Sequence, residues 1–274
     1  MTSSTVVYVS YGTDRLDLSW IPDDTTVVVV HNDDRLADSA CAHDGVIHIR
    51  PDRNVGFGAG INLALPVVRT RRVILCNPDT RLDATHFVAL DDADDETIVA
   101  VPLVEPNGVP NAIVNPYWNA PAFLATAWRL GRWAPRGGRR LRLVAPLLGR
   151  WGRAHGEALT LTPGEWPIAQ RWLSAAVVSM PVDALRSVGG FDESYFLYFE
   201  DADLHQRLTR AMPDLRVRLA DLPPGRHEVG GCARGRDEAR VAARHRRRSA
   251  RTYAARQPGV AWRLAEALLS VGPR

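Results

Sequence analysis

The sequence predicts an α/β protein in which an open, mostly parallel sheet carries helices on both faces. Four β-branched, continuously apolar segments recur within the first 104 residues, and such runs are typical of parallel strands that are buried on both sides. Segments with helical periodicity alternate with them, which is the pattern of a doubly wound sheet. Sheets of this type bind ligands beyond the carboxyl ends of their strands, so functional side chains are expected there.

The predicted elements follow one another along the chain. Strands are expected at 5–11, 25–32, 71–79 and 97–104. Helices are expected at 58–69, 83–93, 236–257 and 259–272. Residues 116–166 break the alternation with an excursion rich in Arg, Trp, Pro and Gly, and a strand with a short helix resumes at 171–191. Long excursions of this kind are usually functional or mobile.

Composition and length exclude several classes of protein. The chain has 274 residues, 46% of them hydrophobic, which is enough for one sizeable domain. Cys41, Cys76 and Cys232 are far apart and lack metal-ligand spacing, which predicts a reduced protein without disulfides. No segment approaches the roughly 20 apolar residues of a membrane span, and no basic leader precedes the first strand. We therefore expect a soluble or peripheral cytoplasmic protein.

Charge is distributed unevenly along the chain. Residues 1–115 carry 17 acidic residues and 8 arginines, whereas residues 116–274 carry 14 acidic residues and 26 arginines. An acidic half followed by a basic half indicates two surfaces with different partners.

A glycine-rich segment, RNVGFGAGIN, lies between a strand and a helix at 53–62. Glycine lets backbone amides approach a ligand closely, and the start of a helix favours negative charge. The spacing matches neither a dinucleotide fingerprint nor a P-loop, so a simple glycine-rich turn explains the segment as well.

Residues with oxygen-containing side chains form the end of the strand predicted at 71–79. Asp79 stands at its carboxyl end, held by Pro78, with Asn77 nearby. A carboxylate in this position suits a divalent cation that completes its shell with phosphate and water. Asn-Pro-Asp is also good turn chemistry, which is the competing interpretation. His227, in the glycine-rich stretch 225–231, is likewise either a ligand or a structural histidine.

Residues 188–208, VGGFDESYFLYFEDADLHQRL, interleave acidic and aromatic side chains. Five acids lie within twelve residues: Asp192, Glu193, Glu200, Asp201 and Asp203. A surface helix would separate acidic from aromatic residues by face. The mixture predicts carboxylates at the edge of a packed pocket, although the first two acids are equally explained as acids at a helix start.

Taken in chain order, NVGFGAGIN, NPD, GGFDESYFLYFEDADL and a histidine in a glycine-rich loop resemble the family 2 glycosyltransferases, and most closely their rhamnosyltransferase-like branch. The likeness extends from about residue 5 to residue 231. It implies a GT-A fold, which is Rossmann-like. It also implies transfer of a sugar, with inversion, from a nucleotide diphosphate to an acceptor hydroxyl in cell-surface glycan or glycoconjugate biosynthesis.

The resemblance also implies roles for individual residues. Asp79 would coordinate Mg²⁺ or Mn²⁺, His227 would complete the metal or diphosphate site, and Asp201 would be the general base. Nucleotide-sugar contacts are expected from Ser10, Tyr11, Asn32, Asp33, Asn54, Gly56, Gly58, Asn62, Asn77 and Asp79. Acceptor contacts are expected from Trp172, Glu200 and Asp203.

One departure from the family pattern concerns the nucleotide base. The family usually has Asp-Asn after its second strand, and this chain has His31-Asn32-Asp33-Asp34. Either Asp33 takes over base recognition by a small shift, or recognition of the base differs. The likeness favours dTDP-L-rhamnose as donor, with UDP-hexoses as the alternative.

The likeness divides the chain into a GT-A domain, residues 1–235, and a basic helical extension, residues 236–274. Within the domain, 1–115 would bind the nucleotide sugar, 116–170 is the Arg/Trp-rich excursion, and 171–235 would carry the acceptor and catalytic part. Trp128, Trp133 and Trp151 lie among arginines in the excursion, which favours either contact with anionic lipid or a solvated basic face.

Other functions compete with this interpretation. A sugar-nucleotide-binding or scaffold protein without catalysis would keep the fold and lose turnover. A nucleic-acid binder is disfavoured because the chain has no nucleic-acid-binding motif. The acceptor is left open between a glycan, a lipid-linked sugar and a soluble small molecule, and a homodimer is also left open.

Overall fold

A computed structural model describes residues 2–127, 162–228 and 236–271. Its strands are β1 (Ser4–Ser10), β2 (Val27–His31), β3 (Val46–Ile49), β4 (Arg72–Cys76), β5 (Thr80–Arg81), β6 (Thr97–Ala100), β7 (Leu103–Val104), β8 (Val114–Pro116), β9 (Gly164–Pro167), β10 (Arg171–Leu173), β11 (Val177–Pro181), β12 (Arg216–Leu219) and β13 (Gly225–His227). Its helices are α1 (Phe57–Ala64), α2 (Ala84–Asp91), α3 (Ala120–Ala127), α4 (Val182–Ser187), α5 (Glu200–Ala211), α6 (Arg236–Arg256) and α7 (Val260–Val271), with a 3₁₀ turn at Asp38–Ala40.

Eight strands form the central sheet, in the order β3-β2-β1-β4-β11-β6-β12-β9. Strands β11 and β9 run antiparallel to their neighbours, and the other six run in one direction. The apolar runs of β1, β2 and β4 are fully buried at the centre, as continuous β-branched sequences favour. The predicted open, mostly parallel sheet is therefore confirmed.

The strand predicted at 71–79 ends at Cys76, and proline explains two further differences from the predicted elements. The helix expected at 58–69 ends at Ala64, because Pro66 has no N–H with which to continue the helical hydrogen bonds. The strand expected at 97–104 divides into β6 and β7 on either side of Pro102 for the same reason. The edge strand β3 was not predicted, since its four residues are only partly buried.

Two small sheets extend the fold beside the central one. Strand β10 pairs antiparallel with β8, and β13 lies between β5 and β7. The pairing of β13 with β5 sets His227 opposite Thr80, one residue after Asp79. Residues that are far apart in sequence therefore meet beside the end of β4.

A second buried cluster joins the C-terminal helices to the acidic and aromatic segment. Its members come from α3, β10, residues 195–202, α6 and α7: Phe123, Trp172, Tyr195, Phe199, Ala202, Ala250, Tyr253, Ala254 and Leu269. Helices α6 and α7 therefore share a core with the segment that carries Asp201. The hydroxyl of Ser249 on α6 also donates to the backbone carbonyl of Leu197 at 2.8 Å.

The structure describes only some of the residues on which the predictions about lipid contact, cysteines and membrane spans depend. Trp128, Trp133, Trp151 and Cys232 lie outside the described ranges, so the expected contact of the excursion with lipid stays a prediction. Cys41 and Cys76 are buried free thiols. Across the three described ranges, no helix combines the length and the apolar character needed to cross a membrane.

Candidate active site

The candidate site lies where β4 ends and β11 begins. These strands are antiparallel, so the residues after Cys76 meet those before Val177. The backbone amide of Asn77 donates to the carbonyl of Ala176 at 2.8 Å and fixes the two segments together. This contact brings two groups of side chains to one edge of the sheet. One group follows β4, and the other contacts residues 174–176.

Asp79 and His227 form the first half of the site. The Asp79 Oδ1 atom lies 3.2 Å from His227 Nε2, and their side chains are 15% and 9% exposed. The side-chain Nδ2 of Asn77 lies 3.4 Å from the same imidazole nitrogen. A carboxylate, an imidazole and an amide therefore converge on one partly shielded position, and their roles in binding a metal or a nucleotide sugar stay a prediction.

Asn111 holds the other side of the His227 ring. Its Nδ2 atom lies 2.8 Å from His227 Nδ1, while its Oδ1 atom is buried with no partner among the described residues. The two atoms of an amide are assigned from the hydrogen-bond network, and exchanging them lets Oδ1 accept from Nδ1–H. In that arrangement Nε2 keeps its lone pair and faces Asp79.

These donors suit a divalent cation. Carboxylate oxygen and neutral imidazole are ordinary ligands of Mn²⁺, and a carboxylate with water and phosphate suits Mg²⁺. Metal-binding imidazoles usually donate their second N–H to a neighbouring acceptor, and Asn111 occupies that place. The residues present therefore fit the cation expected from the sequence.

Two strained residues precede the second half of the site. Tyr198 and Phe199 have φ values of 73° and 70°, in the left-handed region that aromatic residues rarely adopt. Phe199 is buried in the second cluster, and the guanidinium of Arg246 lies 4.0 Å from the centre of the Tyr198 ring. Strain of this kind persists only where surrounding packing imposes it, and it is concentrated at functional sites.

Glu200 and Asp201 begin helix α5 directly after the strained pair. Asp201 is partly exposed and accepts a hydrogen bond from the Ala202 amide at 2.8 Å. The Ala175 amide also donates to it, and burial raises the pKa of Asp201 to about 6. Glu200 is 6% exposed, and its Oε2 has no partner in the part of the chain that the structure describes. Burial, and then the charge of Asp201, raise the pKa of Glu200 to about 8.

The two halves are connected through the backbone of residues 175–176. Ala175 donates to Asp201, and Ala176 accepts from Asn77, which contacts His227. Asp201 and His227 are thus linked through residues 175–176 and Asn77, and Asp79 lies against His227.

His205 supports Asp201 from within α5 and was not predicted. Its Nδ1 donates to the Asp201 carbonyl at 2.9 Å, and its Nε2 lies 3.4 Å from the Leu173 amide. Burial lowers the pKa of His205 to about 4, so the ring is neutral and suits both contacts. The sequence feature that could have indicated His205 is its position four residues after Asp201, one helical turn away. Asn111 was also not predicted, and the feature that could have indicated it is a polar side chain within an apolar stretch.

The segment after β2 contains the expected base-recognition residues. Asn32 is buried, donates to the Gly56 carbonyl at 3.0 Å and accepts from the Val55 amide, so it fixes the glycine-rich segment. Asp33 accepts from the Gly12 amide at 2.7 Å, and its Oδ1 has no partner within the described ranges. The His31 side chain is only 1% exposed and turns away, toward β3.

The glycines of residues 53–62 are required by packing. A Cβ atom at Gly56 would lie 2.3 Å from the backbone oxygen of Phe196, and one at Gly58 would lie 2.8 Å from Phe191. Asn62 donates to the Phe191 carbonyl, and Asn54 accepts from the Gly56 amide. The segment therefore lies against residues 191–196, and direct contact of these residues with a nucleotide sugar stays a prediction.

The remaining predicted contacts differ in exposure. Tyr11 is 43% exposed beside the end of β1, whereas Ser10 is fully buried. Asp203 is buried and accepts from Arg207, Tyr195 and Arg256, and Trp172 is buried with its indole donating to Pro116. The contacts of Asp203 and Trp172 within the protein explain why these residues are buried, so their predicted contacts with the acceptor stay a prediction. Asp192 and Glu193 lie in a turn and not at a helix start, because α5 begins at Glu200.

Comparison with solved structures identifies the fold as that of GT-A glycosyltransferases, as predicted. The chain resembles mannosyl-3-phosphoglycerate synthase from Rubrobacter xylanophilus, at 13% identity and a TM-score of 0.52 over 95% of this chain and 78% of that one. It also resembles GalNAc-T7 with UDP, GalNAc and Mn²⁺, at 10% identity and a TM-score of 0.52 over 82% of this chain and 44% of that one.

A third structure and one sequence relative complete the comparison. Glucosyl-3-phosphoglycerate synthase from Mycobacterium tuberculosis, in complex with Mn²⁺, UDP and phosphoglyceric acid, has 14% identity and a TM-score of 0.50 over 89% of this chain and 75% of that one. An N-acetylglucosaminyl-diphospho-decaprenol L-rhamnosyltransferase from M. tuberculosis is 47% identical over 51 residues, which is 19% of this chain and 16% of that relative. No family model matches the chain.

Proposed function

We propose that this protein is a metal-dependent, inverting glycosyltransferase that moves a sugar from a nucleotide diphosphate to an acceptor hydroxyl. One observation carries the proposal. The Asp79–His227 pair and the Asp201 carboxylate share one edge of a GT-A sheet and are connected through residues 175–176. The GT-A fold places these side chains at one edge of the sheet. The cation site would bind the diphosphate, and the partly exposed carboxylate would accept a proton.

Asp79 and His227 would hold the divalent cation, with Asn77 beside them. The cation would offset the negative charge that develops on the diphosphate as its bond to the sugar breaks. Mn²⁺ in the structures of GalNAc-T7 and glucosyl-3-phosphoglycerate synthase supports this choice of cofactor, with Mg²⁺ as the alternative. Asn111 would keep the His227 ring in the orientation that presents Nε2.

Asp201 would accept the proton of the attacking hydroxyl. Its pKa, raised by burial to about 6, leaves it ionised at neutral pH yet more basic than an ordinary carboxylate. Glu200, with its pKa raised to about 8, is mainly protonated at neutral pH and is unsuited to the role. The hydroxyl would attack from the face opposite the diphosphate, which gives inversion at the anomeric carbon.

The donor is proposed from two kinds of support. The short match to an L-rhamnosyltransferase favours dTDP-L-rhamnose, and UDP in the structures of two neighbours supports UDP-hexoses as the alternative. Asp33 is the better candidate for base recognition, because its carboxylate lies beside Gly12 and keeps one oxygen without a partner among the described residues, whereas His31 is turned away.

The experiment that tests this function has two stages. Thermal unfolding is measured with dTDP-L-rhamnose, UDP-glucose, UDP-galactose and GDP-mannose, each with and without Mn²⁺, because a ligand of the folded state raises Tm by mass action. The stabilising donor is then incubated with candidate acceptors, and release of free nucleoside diphosphate is measured. Binding without release for any acceptor would favour a non-catalytic nucleotide-sugar-binding protein, and no stabilisation by any donor would contradict the proposal.

We also propose a peripheral position on an anionic membrane surface for the basic second half of the chain. Support comes from the exposed arginines of α6, which include Arg244, Arg248 and Arg251. Binding to vesicles containing anionic lipid should fall at high salt, because such attraction is screened. Equal binding to neutral and anionic vesicles would contradict an attraction driven by charge and would favour a soluble acceptor.

A further inference from the structure

A second cluster of metal-ligating side chains lies at the edge of the sheet that carries β3. It consists of His31 at the end of β2, His48 in β3 and Asp38 in the 3₁₀ turn. The His31 Nε2 atom lies 2.9 Å from His48 Nδ1, and Asp38 Oδ1 lies 3.2 Å from His48 Nδ1 and 3.7 Å from His31 Nε2. All three ligand atoms lie within 4.8 Å of one another.

The strand register explains why the two histidines meet. His48 pairs with Val29, two residues before His31, so both imidazoles project from the same face of neighbouring parallel strands. The His31 side chain is 1% exposed, while those of His48 and Asp38 are 23% and 56% exposed. The cluster is therefore anchored in the core and open to solvent on one side.

The arrangement of atoms in the cluster favours a cation. Two imidazole nitrogens and a carboxylate oxygen face one another at hydrogen-bond and ion-pair distances. A cation would accept a lone pair from each of these atoms and displace any proton held between them.

We propose that His31, His48 and Asp38 form a binding site for a transition-metal cation such as Zn²⁺ or Co²⁺. Two imidazoles and a carboxylate suit these ions better than Mg²⁺, which prefers oxygen ligands. Water would fill the remaining position. The bound ion would tie the edge strand β3 and the 3₁₀ turn to β2.

This site is distinct from the Asp79–His227 pair. His31 ends β2, whereas Asp79 follows β4, and β1 lies between these strands, so two strand spacings of about 4.8 Å separate them. The inference does not depend on the proposed transferase activity. It concerns residues directly before Asn32 and Asp33, and its expected role is to stabilise that end of the sheet.

Arg50 gives the proposal a specific signature. Its guanidinium binds the same Asp38 oxygen that faces the two histidines, and it adds positive charge where a cation would bind. Arg50→Ala should therefore tighten metal binding by several-fold, while His48→Gln should abolish it. A cluster that exists only as a hydrogen-bonded network would show neither effect.

The test uses the Asp79→Ala protein, which lacks the first cation site. Co²⁺ is titrated into it while visible absorption is recorded, and Zn²⁺ competition and the shift in Tm give affinity and stabilisation. One bound Co²⁺ is expected, with loss in the added His48→Gln variant and retention in His43→Gln, which removes a histidine whose Nε2 contacts the Pro22 carbonyl outside the cluster. Absence of Co²⁺ binding below millimolar concentration, or binding unchanged by both His48→Gln and Arg50→Ala, would overturn the proposal.

Discussion

The backbone amide of Asn77 donates to the carbonyl of Ala176 at 2.8 Å, and this bond joins the two halves of the candidate active site. On one side it fixes the residues that lead to Asp79. On the other it fixes the strand start whose Ala175 amide contacts Asp201. Backbone hydrogen bonding therefore fixes the segments that carry the proposed cation site and the proposed base relative to each other.

The first prediction concerns the cation. Asp79→Ala should abolish the Mn²⁺-dependent part of donor binding and leave the fold intact, because a partly exposed carboxylate beyond the end of β4 contributes little to the core. The measurement is the shift in Tm with donor, with and without Mn²⁺. His227→Ala should weaken the same binding less severely.

Exposed Asp23 provides the control for this test, and Asp23→Ala should bind donor like the wild type. Full activity of Asp79→Ala after removal of metal with a chelator would contradict the assignment of this site.

The second prediction concerns the glycine-rich segment. Gly56 and Gly45 both have positive φ, at 90° and 81°, so alanine adds backbone strain of about 1–3 kcal/mol at either position, and the ψ of −176° at Gly56 is the less tolerant of a side chain. At Gly45 nothing lies within 4 Å of an added Cβ, whereas at Gly56 it would meet the Phe196 oxygen at 2.3 Å. Gly56→Ala should therefore cost about 1–3 kcal/mol more than Gly45→Ala.

Urea unfolding of the two variants measures this difference directly. Equal losses of unfolding free energy would show that residues 191–196 do not pack on Gly56 as described.

Sequence alone predicted the sheet for physical reasons, whereas the roles of the site residues came from the family resemblance and stay a prediction. Continuous β-branched runs indicate buried parallel strands, and β1, β2 and β4 follow that rule. Asp79 could be placed at a strand end because the preceding run is so regular. Its pairing with His227 could not be derived from the residues alone, because it depends on β13 lying beside β5, a contact between residues about 150 positions apart.

The parts that sequence did not predict depend on packing between distant elements. Asn62 was expected to contact a nucleotide sugar, and in the structure it binds the backbone of Phe191 at a separation of 129 residues. Helices α6 and α7 were predicted as elements, but nothing in their own periodicity shows that they cover Phe199 and Tyr195. His205 and Asn111 likewise acquire their roles only from neighbours in space.

The third prediction concerns the pH dependence of stability. The pKa of Glu200 is raised in the folded state to about 8, from 4.5, so its contribution to stability is fully present below about pH 4.5 and is lost as the pH rises through about 8. Glutamine cannot ionise. Glu200→Gln should therefore gain stability relative to the wild type between pH 5 and pH 8, with little further change above that range.

Denaturant unfolding at several pH values gives this comparison. Asp23→Asn, a change at an exposed carboxylate, should show no such trend. A constant difference between Glu200→Gln and the wild type across this range would mean that Glu200 is already ionised in the folded protein.

The last prediction concerns the general base. Asp201→Asn preserves the shape of the side chain and an oxygen that can accept the Ala202 amide, but it removes the basicity. It should lower kcat by ~10²–10⁴-fold with donor binding nearly unchanged, which is the usual scale of general-base catalysis.

In the wild type, kcat/KM should fall as the pH drops below about 6, where Asp201 becomes protonated. Glu200→Gln and Asp203→Asn should reduce kcat less, because one is mainly protonated at neutral pH and the other is bound by Arg207. An Asp201→Asn variant that turns over at close to the wild-type rate would refute the assignment and make Glu200 the next candidate.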